Sequence, residues 1–157
     1  MLHRLLVPGV LAAFLASAQQ PSKVVFVCEH GVAKSVIAAA HLRRLAAEKG
    51  LNLEVISRGS APEPEIPATV IGGLKKDGIA FTPFKPAQVT RADLTGAVAV
   101  ISFGPDVASL IDGKAKVLDW SATPSVSANY DAARSYIVTR LEELIETLRS
   151  QTSPSRR

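Results

Sequence analysis

Apolar residues along this chain fall into two rhythms, short unbroken or alternating runs and longer stretches at helical spacing, and the two take turns. Residues 23–28, Lys-Val-Val-Phe-Val-Cys, are a continuous run of β-branched and aromatic side chains and read as a strand buried on both faces. After a short loop at residues 29–33, Val36, Ala40, Leu42 and Leu45 recur at helical spacing from Lys34 to about Lys49, where Gly50 is the stop. Residues 53–57 alternate as a second strand, which a right-handed crossover sets parallel to the first. Residues 58–64, rich in Gly, Ser and Pro, form a loop, and a helix over about 68–77 ends at Gly78. A linker through Pro83, Pro86 and Thr90 leads to a short acidic turn at residues 91–94. Residues 97–103 are a third strand stopped by Gly104-Pro105, and residues 116–118 a short fourth. In the last helix, over about 129–149, Ala133, Ile137, Leu141, Leu144, Ile145 and Leu148 share one face, with Ser127 or Asn129 available to cap the start. Alternation of this kind predicts an α/β fold in three layers, a four-stranded parallel sheet with helices on both faces.

Residues 1–18 do not fit that scheme. A basic start is followed by an apolar run from Leu5 to Leu15 and by Ala16-Ser17-Ala18, the layout of a secretory signal peptide cleaved after Ala18. The run is shorter than the roughly 20 residues a spanning helix needs, and Pro8-Gly9 weakens it further, so the expectation is an exported, periplasmic or secreted, protein without stable membrane insertion, with an uncleaved N-terminal anchor as the alternative. Residues 19–149 are then one domain, long enough to stand on its own core, and residues 150–157 a disordered tail.

The net charge is +4, but Arg4, Arg149, Arg156 and Arg157 fall in the two terminal segments. Removing them from the 18 Lys and Arg leaves 14 against 14 Asp and Glu. That balance carries no footprint for nucleic acid. Cys28 is the one cysteine, so a disulfide within the chain is excluded.

Cys28 closes the first strand, at the end of a parallel sheet where ligands bind. Gly31 lets the loop turn with its amides inward, and the following helix adds free N–H groups and the positive end of its dipole. The result is a nest for a tetrahedral anion, formed by Glu29, His30, Gly31, Val32, Ala33 and Lys34. The same field, with Lys34 as a cation and Ser35 as a hydroxyl donor, stabilises a Cys28 thiolate and makes it a nucleophile toward phosphorus. A buried cysteine acting as a small hydrophobe is the structural alternative.

The stretch from Val24 to Cys28, the five-residue loop, the basic Lys34 and Ser35 at the head of a long helix resemble the P-loop of low-molecular-weight protein tyrosine phosphatases and their arsenate-reductase relatives. Arg58-Gly59-Ser60 falls where that family has its second-strand Ser-Ala-Gly segment, which puts Ser60 among the binding residues. The segment from Gln88 to Leu94 followed by Val98 to Phe103, and the final helix, extend the likeness over residues 23–148. The resemblance implies a cysteine-dependent phosphatase that hydrolyses aryl phosphates through a Cys28 phosphoenzyme, with Lys34 binding oxygens and Ser35 supporting the thiolate, and no cofactor.

Three departures stand beside the likeness. Lys34 replaces the loop arginine and loses its planar fork. His30-Gly31 replaces a Gly-Asn pair that supports the loop. Thr123 stands before Pro124 where the family carries its general-acid Asp, leaving Asp119 as the substitute acid or, alternatively, as a turn-making carboxylate. The departures keep open a second reading, an oxyanion-binding module for phosphate or arsenate that has lost efficient turnover. Arsenate reduction through a disulfide cascade needs further cysteines. A metal site from Cys28, Glu29, His30 and His41 matches no ligand spacing, and His41 is expected on the exposed side of the first helix. Arg43-Arg44 reads as a solvated helix face. Trp120, Tyr130 and Phe103 are candidates for the mouth of the site, or for plain packing against the last helix.

Overall fold

The computed structural model describes residues 19–113 and 115–152; the expected signal segment lies outside the described residues, as do residues 153–157. The elements are β1 (Ser22–Cys28), α1 (Lys34–Glu48), β2 (Leu53–Gly59), α2 (Ala68–Lys76), α3 (Arg91–Leu94), β3 (Ala97–Ser102), β4 (Lys116–Asp119) and α4 (Tyr130–Thr152). All strand pairings are parallel, in the order β2-β1-β3-β4. This is the expected four-stranded sheet. The last helix runs past its expected end near Arg149 to Thr152.

The pleat of β1 sorts the core. Val24, Phe26 and Cys28 point to one face, where they join side chains of α1, α2 and α4. Val25 and Val27 point to the other, against Val89, Leu94, Val100 and Val107. Both faces are covered, but unequally: the long helices share the Cys28 side, while the second side is closed by four-residue α3 and irregular chain. α3 holds its shape through a capping box, in which the Thr90 hydroxyl accepts from the Asp93 amide and the Asp93 carboxylate accepts from the Thr90 amide.

α1 lacks the exposed side on which His41 was expected. Every residue from Ser35 to Leu42 is buried, because the helix lies between the sheet, α4 and α2. His41 is therefore inside, 1% exposed, and not on a solvent face. Its Nε2 lies 3.1 Å from Asp77 Oδ2, and Tyr130 donates to the same oxygen at 2.8 Å. Arg44 donates to the Asp77 carbonyl at 2.7 Å and Arg43 to the Val55 carbonyl at 2.6 Å, so the arginine pair is structural and not merely solvated. Asn129 caps α4 by accepting from the Ala132 amide at 3.0 Å.

Candidate active site

Cys28 is the last residue of β1, opposite Gly59 of β2 in the parallel register. The loop that follows turns at Gly31, whose φ of +65° is a conformation glycine adopts without a Cβ penalty. The turn also brings backbone against backbone. A Cβ built on Gly31 falls 2.8 Å from the Gly59 nitrogen, and one on Gly59 falls 2.7 Å from the Gly31 nitrogen. Neither position has room for a side chain.

The loop's hydrogen bonding is one-sided. Its carbonyls face outward: Cys28, Glu29 and His30 accept from the amides of Ser60, Ala61 and Glu63 at 3.0, 2.8 and 3.0 Å. Among the described residues, no backbone carbonyl accepts from the amides of Glu29 to Ala33. α1 begins without a side-chain cap, and its first internal bond runs from Ile37 to the Ala33 carbonyl. The first-turn amides add to the donors that the loop leaves unpaired. Carbonyls engaged outward and amides free at a helix N-terminus make an anion-binding concavity.

The sulfur lies within this arrangement. Cys28 is 6% exposed, and its Sγ is 3.0 Å from the buried Ser35 hydroxyl. A cavity of about 420 Å³ opens over it, lined by Glu29, His30, Val32, Ala33, Lys34, Glu63, Phe103 and the segment Ser125, Val126 and Ser127. Lys34 lines that cavity, and its Nζ donates to the Thr123 carbonyl at 2.8 Å, bridging the P-loop to the segment before α4. His30 stands at the mouth with half its side chain exposed, Nδ1 3.4 Å from Glu63 Oε1 and Nε2 3.7 Å from Glu29 Oε2.

The remaining expected residues fall elsewhere. Gly31 shapes the loop but does not line the cavity, and Ser60 acts through the loop frame, its amide on the Cys28 carbonyl and its hydroxyl toward the Glu29 carbonyl. Thr123 is buried with its hydroxyl donating to the Trp120 carbonyl at 2.7 Å. Asp119 is not at the Cys28 cavity; it lines a separate hollow with Ser102, Pro105 and Ser121. Its carboxylate accepts the Ser121 amide at 2.8 Å, and that backbone bond holds it below the ordinary carboxylate range, which suits a turn contact and not a proton donor. Phe103 reaches the cavity, whereas Trp120 is buried against Phe26 and Phe103 at ring separations of 6.0 and 5.9 Å, and Tyr130 points to Asp77. Glu63, a plain loop position in the sequence, is brought to His30 across 33 positions of chain by the backbone bonds that continue past the end of the β1–β2 pairing. No local motif marks it.

Cys28 at a strand end, a loop of free amides and Ser35 beside the sulfur are set on a four-stranded parallel sheet, an arrangement able to accept an anion. The sequence model of the low molecular weight phosphotyrosine protein phosphatase family matches residues 23–116, and the chain belongs to that family. Solved structures agree on the fold. YfkJ from Bacillus subtilis superposes with a TM-score of 0.75 at 20% identity, covering 86% of this chain and 99% of that one. A low molecular weight phosphotyrosine phosphatase from Vibrio cholerae O395 gives 0.74 at 18%, over 84% and 99%. A thioredoxin-dependent arsenate reductase from Corynebacterium glutamicum gives 0.74 at 25%, over 86% of this chain and 65% of that one. Among curated proteins, none matches this chain in sequence.

Proposed function

We propose that this protein is a cysteine-dependent phosphomonoesterase acting on aryl phosphates, and that it forms a phosphoenzyme on Cys28. The observation that carries the reading is the pairing of Cys28 Sγ with the Ser35 hydroxyl at 3.0 Å beneath a loop whose amides have no backbone acceptor. The unpaired donors bind the phosphoryl oxygens and stabilise the charge spread over them in the transition state. The Ser35 hydroxyl donates to the thiolate when sulfur is released from phosphorus. Lys34 adds a positive charge at the rim and holds the segment before α4 over the cavity. Export to the periplasm or beyond, read from residues 1–18, belongs to the same proposal.

Steady-state turnover of nitrophenyl phosphate by residues 19–157, with Cys28→Ser as the control, tests it. Turnover that disappears in Cys28→Ser is expected. A rate indifferent to that substitution rejects the enzyme. If wild-type protein binds phosphate or arsenate without any turnover, the oxyanion-binding module is the correct reading.

A further inference from the structure

We propose that His30 is the acid and base of the Cys28 reaction, with Glu63 as its positioning residue; the inference rests on the phosphatase reading above. Expelling an alkoxide or phenoxide from phosphorus without a proton is slow, so a phosphomonoesterase needs a donor at the leaving oxygen. The two positions that the chain order offers do not supply one. The Thr123 hydroxyl is buried and engaged by the Trp120 carbonyl, and Asp119 lines a different hollow.

Among the described residues around the Cys28 cavity, the carboxyl, imidazole and amine side chains are Glu29, Glu63, His30 and Lys34; the Ser125 and Ser127 hydroxyls are too weak as acids to protonate a leaving group. Lys34 is engaged by the Thr123 carbonyl. Glu29 and Glu63 both lie against the imidazole, Glu63 Oε1 at 3.4 Å from Nδ1 and Glu29 Oε2 at 3.7 Å from Nε2. The ring is the group on which the others converge.

Its placement is built into the main chain. Ser60, Ala61 and Glu63 donate backbone bonds to Cys28, Glu29 and His30 in turn, so the loop after β2 is laced along the P-loop. His30 and Glu63 are joined twice, by the Glu63 amide to the His30 carbonyl at 3.0 Å and by their side chains. The Glu63 carboxylate beside Nδ1 orients the imidazole, and Nε2, which the exposed Glu29 carboxylate approaches only to 3.7 Å, beyond hydrogen-bond reach, exchanges the proton.

The two steps balance. In the first, the Cys28 Sγ–P bond forms while the P–O bond to the leaving group breaks, and the imidazolium passes its proton to the departing oxygen, which leaves as a neutral phenol or alcohol. In the second, a water oxygen bonds to phosphorus and gives its proton to the now neutral imidazole, while the Sγ–P electron pair returns to sulfur beside Ser35. Inorganic phosphate departs and the starting protonation is restored.

Leaving-group dependence reads this role directly. Values of kcat/KM, which report the steps up to release of the leaving group and leave out the later water step, are compared on nitrophenyl phosphate and on phenyl phosphate for wild type, His30→Gln, Glu63→Gln and Cys28→Ser. His30→Gln is expected to lose about 10²-fold or more on phenyl phosphate, and much less on nitrophenyl phosphate, whose leaving group needs little protonation. Retained Cys28-dependent turnover of the activated ester shows that the variant is folded. Glu63→Gln is expected to show the same split at smaller amplitude, which a purely structural role does not produce. Equal losses on both esters, or none, overturn the proton-transfer role and leave the Cys28 chemistry standing. Absence of Cys28-dependent turnover in the wild type overturns the phosphatase reading, and the role of His30 with it.

Discussion

At the scale of single residues, the site depends on two side chains that are absent. Gly31 and Gly59 face each other across the P-loop and the end of β2, closely enough that a methyl group on either meets main-chain atoms below 3.0 Å. Gly59→Ala is accordingly expected to destabilise the protein by about 1–3 kcal/mol through overpacking, measured as a lower denaturant midpoint, and to weaken oxyanion binding as the loop is pushed away. A stability unchanged within error would show that the contact is relieved at no cost. Cys28, Gly31 and Ser35 were legible in the sequence because one strand, one turn and one helix start place them locally. The target of Lys34 and the partnership of His30 with Glu63 were not, because each joins segments distant in sequence.

At the scale of elements, α1 does two tasks: its N-terminus follows the Cys28 loop and its buried flank anchors α2 and α4. The periodicity of α1 misled for a physical reason. Ala-rich positions leave a helix that can be buried on nearly every side, and the polar His41 is accommodated because Asp77 and Arg44 satisfy it. The Arg44 guanidinium, donor only, approaches Nδ1 at 3.4 Å while Nε2 faces the Asp77 carboxylate, an arrangement that fits the neutral imidazole with its hydrogen on Nε2. Burial lowers the His41 value from its ordinary 6.5, against the opposing pull of Asp77. The unfolded chain therefore takes up this proton more readily than the folded one. The His41 contribution to stability is complete above about 6.5 and is lost as pH falls from there toward the depressed folded value. Denaturant midpoints across that window should fall with pH in the wild type and fall less steeply in His41→Gln; parallel slopes would count against it. Asp77 also accepts the Tyr130 hydroxyl at the start of α4; burial first, and then that bond, hold the phenol well above its ordinary value.

At the scale of the whole molecule, the parallel sheet gathers the chemistry at one end. The β2-β1-β3-β4 order sets Cys28 at the C-terminal end of an inner strand, with the loop after β2 on one side and Phe103, directly after β3, on the other. Binding there requires amides that converge only in the folded state. Phosphate, sulfate or arsenate should therefore stabilise the native protein by mass action, by about 2.7 kcal/mol at a hundredfold excess over the dissociation constant. Cys28→Ala or Lys34→Glu should reduce the shift in Tm, and indifference of the wild type to millimolar oxyanion would contradict the site. The fold order was legible throughout, since apolar runs and helical spacing determine which segments become strands and helices; the fates of Thr123 and Asp119 were not, because position in the chain says nothing of which way a side chain faces.

The phosphoenzyme tests the central claim most directly. Rapid acid quench of the protein with nitrophenyl phosphate, followed by peptide mass spectrometry, should find a phosphoryl group on Cys28 that is absent from Cys28→Ser and disappears as substrate is exhausted. Release of nitrophenol with Cys28 unmodified at every time point, and at the same rate in Cys28→Ser, would contradict it.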